Sequence, residues 1–77
     1  MRNKFYLKEF QYFNGEHFVT FNIYDLNKTK NTITLVITSQ GKIIVTEYDL
    51  LSDENGLYFE YGVEYTKIHV DDFEEVK

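Results

Sequence analysis

Side chains that branch at Cβ or carry an aromatic ring fill 33 of the 77 positions, and alanine and proline do not occur at all. Val, Ile and Thr lose rotamer freedom against the preceding turn of a helix. On a pleated sheet they and the aromatics pack well against cross-strand neighbours. A chain built from them is expected to be all-β, or β-dominated α+β: a single small antiparallel meander sheet or barrel of five to six strands with at most one short helix. Residues 1–77 make one small β domain. A domain of this size buries only about 60% of its unfolded-chain surface. There is no cysteine for a disulfide, and only His17 and His69 are available for a structural metal. Stability must therefore come from aromatic packing or from association with another chain.

Turn chemistry divides the chain. Asn14-Gly15, read as a two-residue type I′ loop, sets Tyr12 against His17, Phe10 against Val19, Lys8 against Phe21 and Tyr6 against Ile23. One face of that hairpin then carries Tyr6, Phe10, Tyr12, Val19, Phe21 and Ile23. The other carries Phe5, Leu7, Phe13, Phe18 and Tyr24 mixed with Glu9, Gln11, Glu16, Thr20 and Asn22. Tyr6, Phe10 and Phe13 also fall at i, i+4, i+7, so residues 3–13 read either as strand, which the Asn-Gly signal favours, or as helix. Thr32 to Thr38 alternates cleanly, and a Gln40-Gly41 loop pairs Ile37 with Ile44, Leu35 with Thr46 and Ile33 with Tyr48. Asn55-Gly56 repeats the hairpin signal. After it Leu57, Phe59, Tyr61, Val63 and Tyr65 share one face, and the apolar phase then shifts to Thr66, Ile68 and Val70. A bulge or break is expected at Gly62. Residues 71–77 read as a short helical turn or a frayed tail.

Charge is distributed unevenly. The net charge of −5 combines +3 over residues 1–46 with −8 over residues 47–77. Glu60 and Glu64 share strand parity opposite to Phe59, Tyr61 and Val63, and are expected to project outward together. With Asp71, Asp72, Glu74 and Glu75 they form a candidate partner-binding surface, with Tyr58 and Tyr65 as amphipathic anchors. Such a surface attracts a basic partner and repels nucleic acid. It reads equally as a solvated face that keeps an aromatic-rich chain in solution. The aromatic surplus on both faces of the first hairpin adds to the case for a partner, including a second copy of the chain.

Catalytic chemistry finds little support. Ser39 and Ser52 lie in turns with no histidine nearby in sequence, and Asp71/Asp72 and Glu74/Glu75 are adjacent rather than convergent. His69 with Asp71, or His17 with Glu16, lacks the spacing of a zinc site. Asp53-Glu54-Asn55-Gly56 lacks the spaced oxygen ligands of a calcium loop. The four glycines are isolated, so no phosphate loop is present. No enzyme activity, metal or cofactor is expected. Tyr6, Tyr12, Phe18 and Tyr24 with Lys4, Lys8, Lys28 and Lys30 outline an oligonucleotide-stacking platform. One arginine and a low pI argue against it.

No apolar run of signal-peptide or membrane-span length follows Met1, so a cytoplasmic protein that does not enter the membrane is the expectation. Residues with AT-rich codons (Phe, Tyr, Met, Ile, Asn, Lys) number 34, against five with GC-rich codons. That bias suggests a low-GC bacterium or its phage. The preferred reading is a non-enzymatic protein-binding module, such as a phage or mobile-element inhibitor. It would occupy the basic nucleic-acid surface of a CRISPR or restriction effector. The alternatives are an oligonucleotide-binding barrel and a self-assembling structural protein.

Overall fold

The computed structural model describes residues 8–75. Its eight strands are β1 (Lys8–Phe13), β2 (Phe18–Asn27), β3 (Thr32–Ser39), β4 (Lys42–Asp49), β5 (Leu51–Asp53), β6 (Gly56–Tyr61), β7 (Thr66–His69) and β8 (Glu74–Glu75). The protein is all-β, and the helical content of the described residues is one 3-10 turn, Val70–Asp72. All pairings are antiparallel. The strands divide between two sheets, a five-stranded one in the order β4-β3-β2-β1-β8 and a three-stranded one in the order β5-β6-β7. Residues 8–13 are therefore strand, not helix. The expected positions of Phe5, Tyr6 and Leu7, the Tyr6–Ile23 pair and Lys4 of the stacking platform lie outside the described residues.

The first hairpin keeps its expected faces but not its expected partners. Phe13 pairs with Phe18, Tyr12 with Val19 and Phe10 with Phe21. The Asn14 side chain is the cause. Its Oδ1 accepts the backbone N–H groups of Glu16 and His17, both at 2.9 Å, and the backbone N–H of Asn14 donates to the His17 carbonyl at 3.1 Å. Asn14 thus caps a four-residue loop with its side chain instead of adopting the left-handed backbone of a two-residue turn. The partners slip by two residues, and since side chains alternate with a period of two, each described residue of the paired strands stays on its predicted face, while Glu16 falls in the loop.

The β3–β4 hairpin matches expectation pair for pair, including Ile37–Ile44, Leu35–Thr46 and Ile33–Tyr48. Gln40 (φ 53°) and Gly41 (φ 78°) supply the two positive φ angles of a type I′ turn. The break at Gly62 also occurs where expected, but it is a complete reversal: β6 ends at Tyr61 and β7 returns antiparallel beside it. Val63 and Tyr65 therefore leave the face of Phe59 and stand in water, 95% and 69% exposed. The tail makes the 3-10 turn and then a strand, with Glu75 beside Lys8 and Glu74 beside Glu9.

The core lies between the two sheets. Val19, Phe21, Ile23, Ile33, Leu35 and Ile37 line the inner face of the larger sheet and meet Phe59 and Ile68 of the smaller, with Leu50 and Phe73 closing the ends. Phe21 meets Phe59 at 5.7 Å and Tyr61 at 4.9 Å, both edge-on. Phe73 sits 5.5 Å from Phe10 and 6.4 Å from Phe59, which ties the C-terminal segment to both layers. No polar or charged residue among those described is buried, so the polar chemistry lies at the surface.

Candidate interaction surface

Alternation along β6 turns Leu57, Phe59 and Tyr61 inward and leaves Tyr58 and Glu60 on the solvent side of the small sheet. Leu51, Asp53, Lys67 and His69 come from the flanking strands onto the same side. Tyr58 is half-buried there: the His69 ring lies 5.2 Å from its own, and Lys67 Nζ sits 4.8 Å above its centre. Of the two predicted anchors, then, only Tyr65 is freely presented.

His69 Nε2 lies 3.0 and 3.1 Å from the two oxygens of Asp53, and Lys67 Nζ lies 3.4 Å from one of them. Burial alone raises the Asp53 carboxyl. The hydrogen bond from His69, the amide of Asn55, the charge on His69 and the Lys67 ammonium outweigh it and hold Asp53 below the usual carboxylate range. An ionised carboxylate only accepts, so Nε2 carries the proton. A depressed folded-state value means stability that is present above the unfolded value of about 3.9 and is lost as pH falls through the folded one. Urea midpoints measured from neutral pH down to about pH 2 should fall more steeply for the parent than for Asp53→Asn. Parallel curves would assign the acid transition to other groups.

The predicted carboxylates separate into four places. Glu60 sits opposite Lys67 in register, although the Lys67 ammonium turns to Asp53. Glu64 belongs to the 62–65 loop rather than to β6, so it does not project with Glu60 as their shared parity implied. It lines a groove of about 260 Å³ with Tyr12, Asn14, Tyr61, Val63 and Thr66. Asp71 lies against the β5–β6 turn, where a Cβ placed on Gly56 would be 3.4 Å from its Oδ2.

Asp72, Glu74 and Glu75 do converge. With Glu9, Phe10 and Gln11 they line a groove of about 450 Å³ along the edge of β1. Among the described residues β8 pairs with Lys8 and Glu9, and the groove follows the part of the β1 edge beyond that pairing.

Glu9 stands directly opposite Glu74, and like charges at facing positions of a sheet repel. The Gln11 amide donates to Glu9 at 3.3 Å but brings no charge. Among the described residues the ion pairs are Lys67–Asp53 and His69–Asp53, so neither glutamate has a cationic partner there. The same outer face of the large sheet carries Asp25, Glu47 and Asp49, which share rows with Thr34 and Thr32. The strand lysines Lys8 and Lys42 have the opposite parity. Phe13 and Phe18 meet at 5.0 Å on that face with their rings tilted by 50°, both more than half exposed. Sequence reasoning missed Glu9, Asp25, Glu47 and Asp49. The basic balance of residues 1–46 concealed that Lys28 and Lys30 lie in a loop and that Lys8 and Lys42 lie on the other face, although strand parity alone would have separated the last two.

The stacking platform does not assemble on one face. Tyr12 turns inward, edge-on to Tyr61 at 6.0 Å, while Phe18 faces outward. No three acidic or histidine side chains among the described residues are grouped to hold a metal ion. No helix among them is long and apolar enough to cross a membrane. A scan against protein-family models finds no match, and searches of curated proteins and of solved structures find none either.

Proposed function

We propose that this chain is a small, acidic, non-enzymatic module that binds another protein, with the β1–β8 edge and the adjoining outer face of the large sheet set against a basic surface. The observation that supports this reading is Glu9 facing Glu74 without a cation among the described residues, beside Asp72 and Glu75 in one groove. A lysine at either position would serve the sheet better, and proteins break such local rules mainly where function demands it. Carboxylates fixed on a sheet meet the needs of a channel that ordinarily holds phosphates. The AT-rich composition favours a low-GC bacterium or its phage. There, restriction and CRISPR effectors are the natural bearers of such channels, and an inhibitor encoded by a phage or mobile element would act in the cytoplasm.

The test is displacement. Restriction and CRISPR effectors loaded with labelled duplex are titrated with the protein at rising salt. Release from at least one effector is expected, weakening steeply as salt rises. Glu60→Lys with Glu64→Lys should weaken release, and Glu9→Lys with Glu74→Lys should abolish it. Release that ignores both salt and charge reversal would refute the acidic-surface reading. Direct binding of a fluorescent oligonucleotide by the protein alone would favour the stacking alternative instead.

A further inference from the structure

The two edges of the large sheet are opposites. The β1–β8 edge is ringed by Glu9, Asp72, Glu74 and Glu75. On the other edge, β4 pairs only with β3 among the described residues, and Ile43, Ile44 and Val45 stand 68%, 56% and 63% exposed. Ile44 belongs to the core side, but the three-stranded sheet does not extend far enough to cover it. Among the described residues, the stretch Ile43–Thr46 has none of the usual protections of an open edge, the charges of β4 lying outside it at Lys42, Glu47 and Asp49. β4 runs eight residues without a bulge relative to β3, has no proline, and carries no charge from Ile43 to Thr46.

We infer that β4 is a self-pairing edge through which two copies of this chain join into a ten-stranded antiparallel sheet. The type I′ turn makes Ser39–Lys42 a bonded pair, and bonded and non-bonded pairs alternate from there. The backbone groups of Lys42, Ile44, Thr46 and Tyr48 therefore serve β3, and those of Ile43, Val45 and Glu47 point at the open edge. A two-fold axis through Ile44 sets Ile44 against its copy, each Ile43 against the other chain's Val45, and Lys42 against Thr46. Moving the axis to Val45 would set Ile43 against Glu47, and moving it to Ile43 would set Lys42 against Ile44. The apolar triplet is thus complementary to itself in one register. In this register the ladder runs from Lys42 to Thr46, five residues or about 17 Å, so that with its flanking side chains the contact is a small one, below the ~1,000 Å² of stable specific interfaces. A reversible dimer dissociating in the micromolar range is expected. The acidic edge repels its own copy, so assembly closes at two chains instead of extending. This inference does not depend on the proposed function.

Sedimentation equilibrium of the full chain over a wide concentration range tests it. The parent should shift reversibly from the 9.3 kDa chain mass to twice that value. Val45→Pro removes an amide that points away from β3, so circular dichroism should stay β-rich while the dimer disappears. Ile44→Lys does the same through charge and leaves the backbone intact, so it decides the matter if the proline variant fails to fold. The proposal is overturned by a parent that remains at the chain mass throughout, by a dimer that persists in Ile44→Lys, or by a ladder of larger oligomers.

Discussion

Phe59→Ala is expected to remove most or all of the stability of this protein. Phe59 is fully buried, and with Tyr61 it is one of the two rings through which the small sheet meets the large one: Tyr48 lies 5.3 Å away, Phe21 5.7 Å and Phe73 6.4 Å. Truncating a buried phenylalanine costs about 3–5 kcal/mol, in lost transfer energy and in the cavity left behind. A single domain of this size has about 4–12 kcal/mol in total. No disulfide supports it, and β5, β6 and β7 are too short to persist once undocked. Thermal unfolding followed by circular dichroism should show a melting point lower by about 20 °C or no cooperative transition at all. Phe59→Leu should keep much of the loss from occurring. Val63→Ala, on a side chain already in water, should change little. A Phe59→Ala protein that melts within a few degrees of the parent would mean that the two layers are not joined there.

Glu74→Lys is expected to act on stability and on binding in opposite directions. Lysine at this position faces Glu9 and turns a repulsion into an attraction, a gain of about 0.5 kcal/mol and a melting point higher by a few degrees. The same change places a cation in the centre of the carboxylate groove, and capture of a basic partner should fall by orders of magnitude, mainly through the association rate at low salt. The sign difference separates the two readings of the acidic surface. If the carboxylates only keep the protein in solution, a single reversal leaves partner capture untouched. If capture falls and the melting point falls with it, the loss belongs to damaged folding.

Local chemistry explains which parts of the structure were legible in the sequence. The β3–β4 hairpin could be read residue by residue because Thr32 to Thr38 alternates without interruption, and a two-residue Gln40-Gly41 loop keeps Ile33 against Tyr48 where a three-residue loop would set it against Glu47. The inward sets Phe10, Tyr12, Val19, Phe21 and Ile23 were equally legible, since a slip of two residues conserves parity. The slip itself was not, because Asn14 has two ways to build a turn and the side-chain cap leaves no mark in the pattern. Val63 and Tyr65 were misplaced for a related reason: an apolar residue in a loop looks like the next beat of a strand until the chain reverses. The groove was the least legible feature. Glu9 and Glu74 meet through a pairing about 65 residues apart in the chain, and no local period reports such a contact. The acidic tail could be seen in the sequence, but the strand it would lie beside could not.

The β1–β8 pairing also bears on mechanical strength. Lys8 and Glu75 are neighbours on adjacent antiparallel strands, so a tether attached at these two points pulls across the ladder rather than along it. Load then falls on one backbone hydrogen bond at a time, and β8 offers only two residues of resistance before the force reaches Phe73. Stretched in this direction the molecule should open like a zipper at low force, whereas a pull along β2 and β3 must shear many bonds at once.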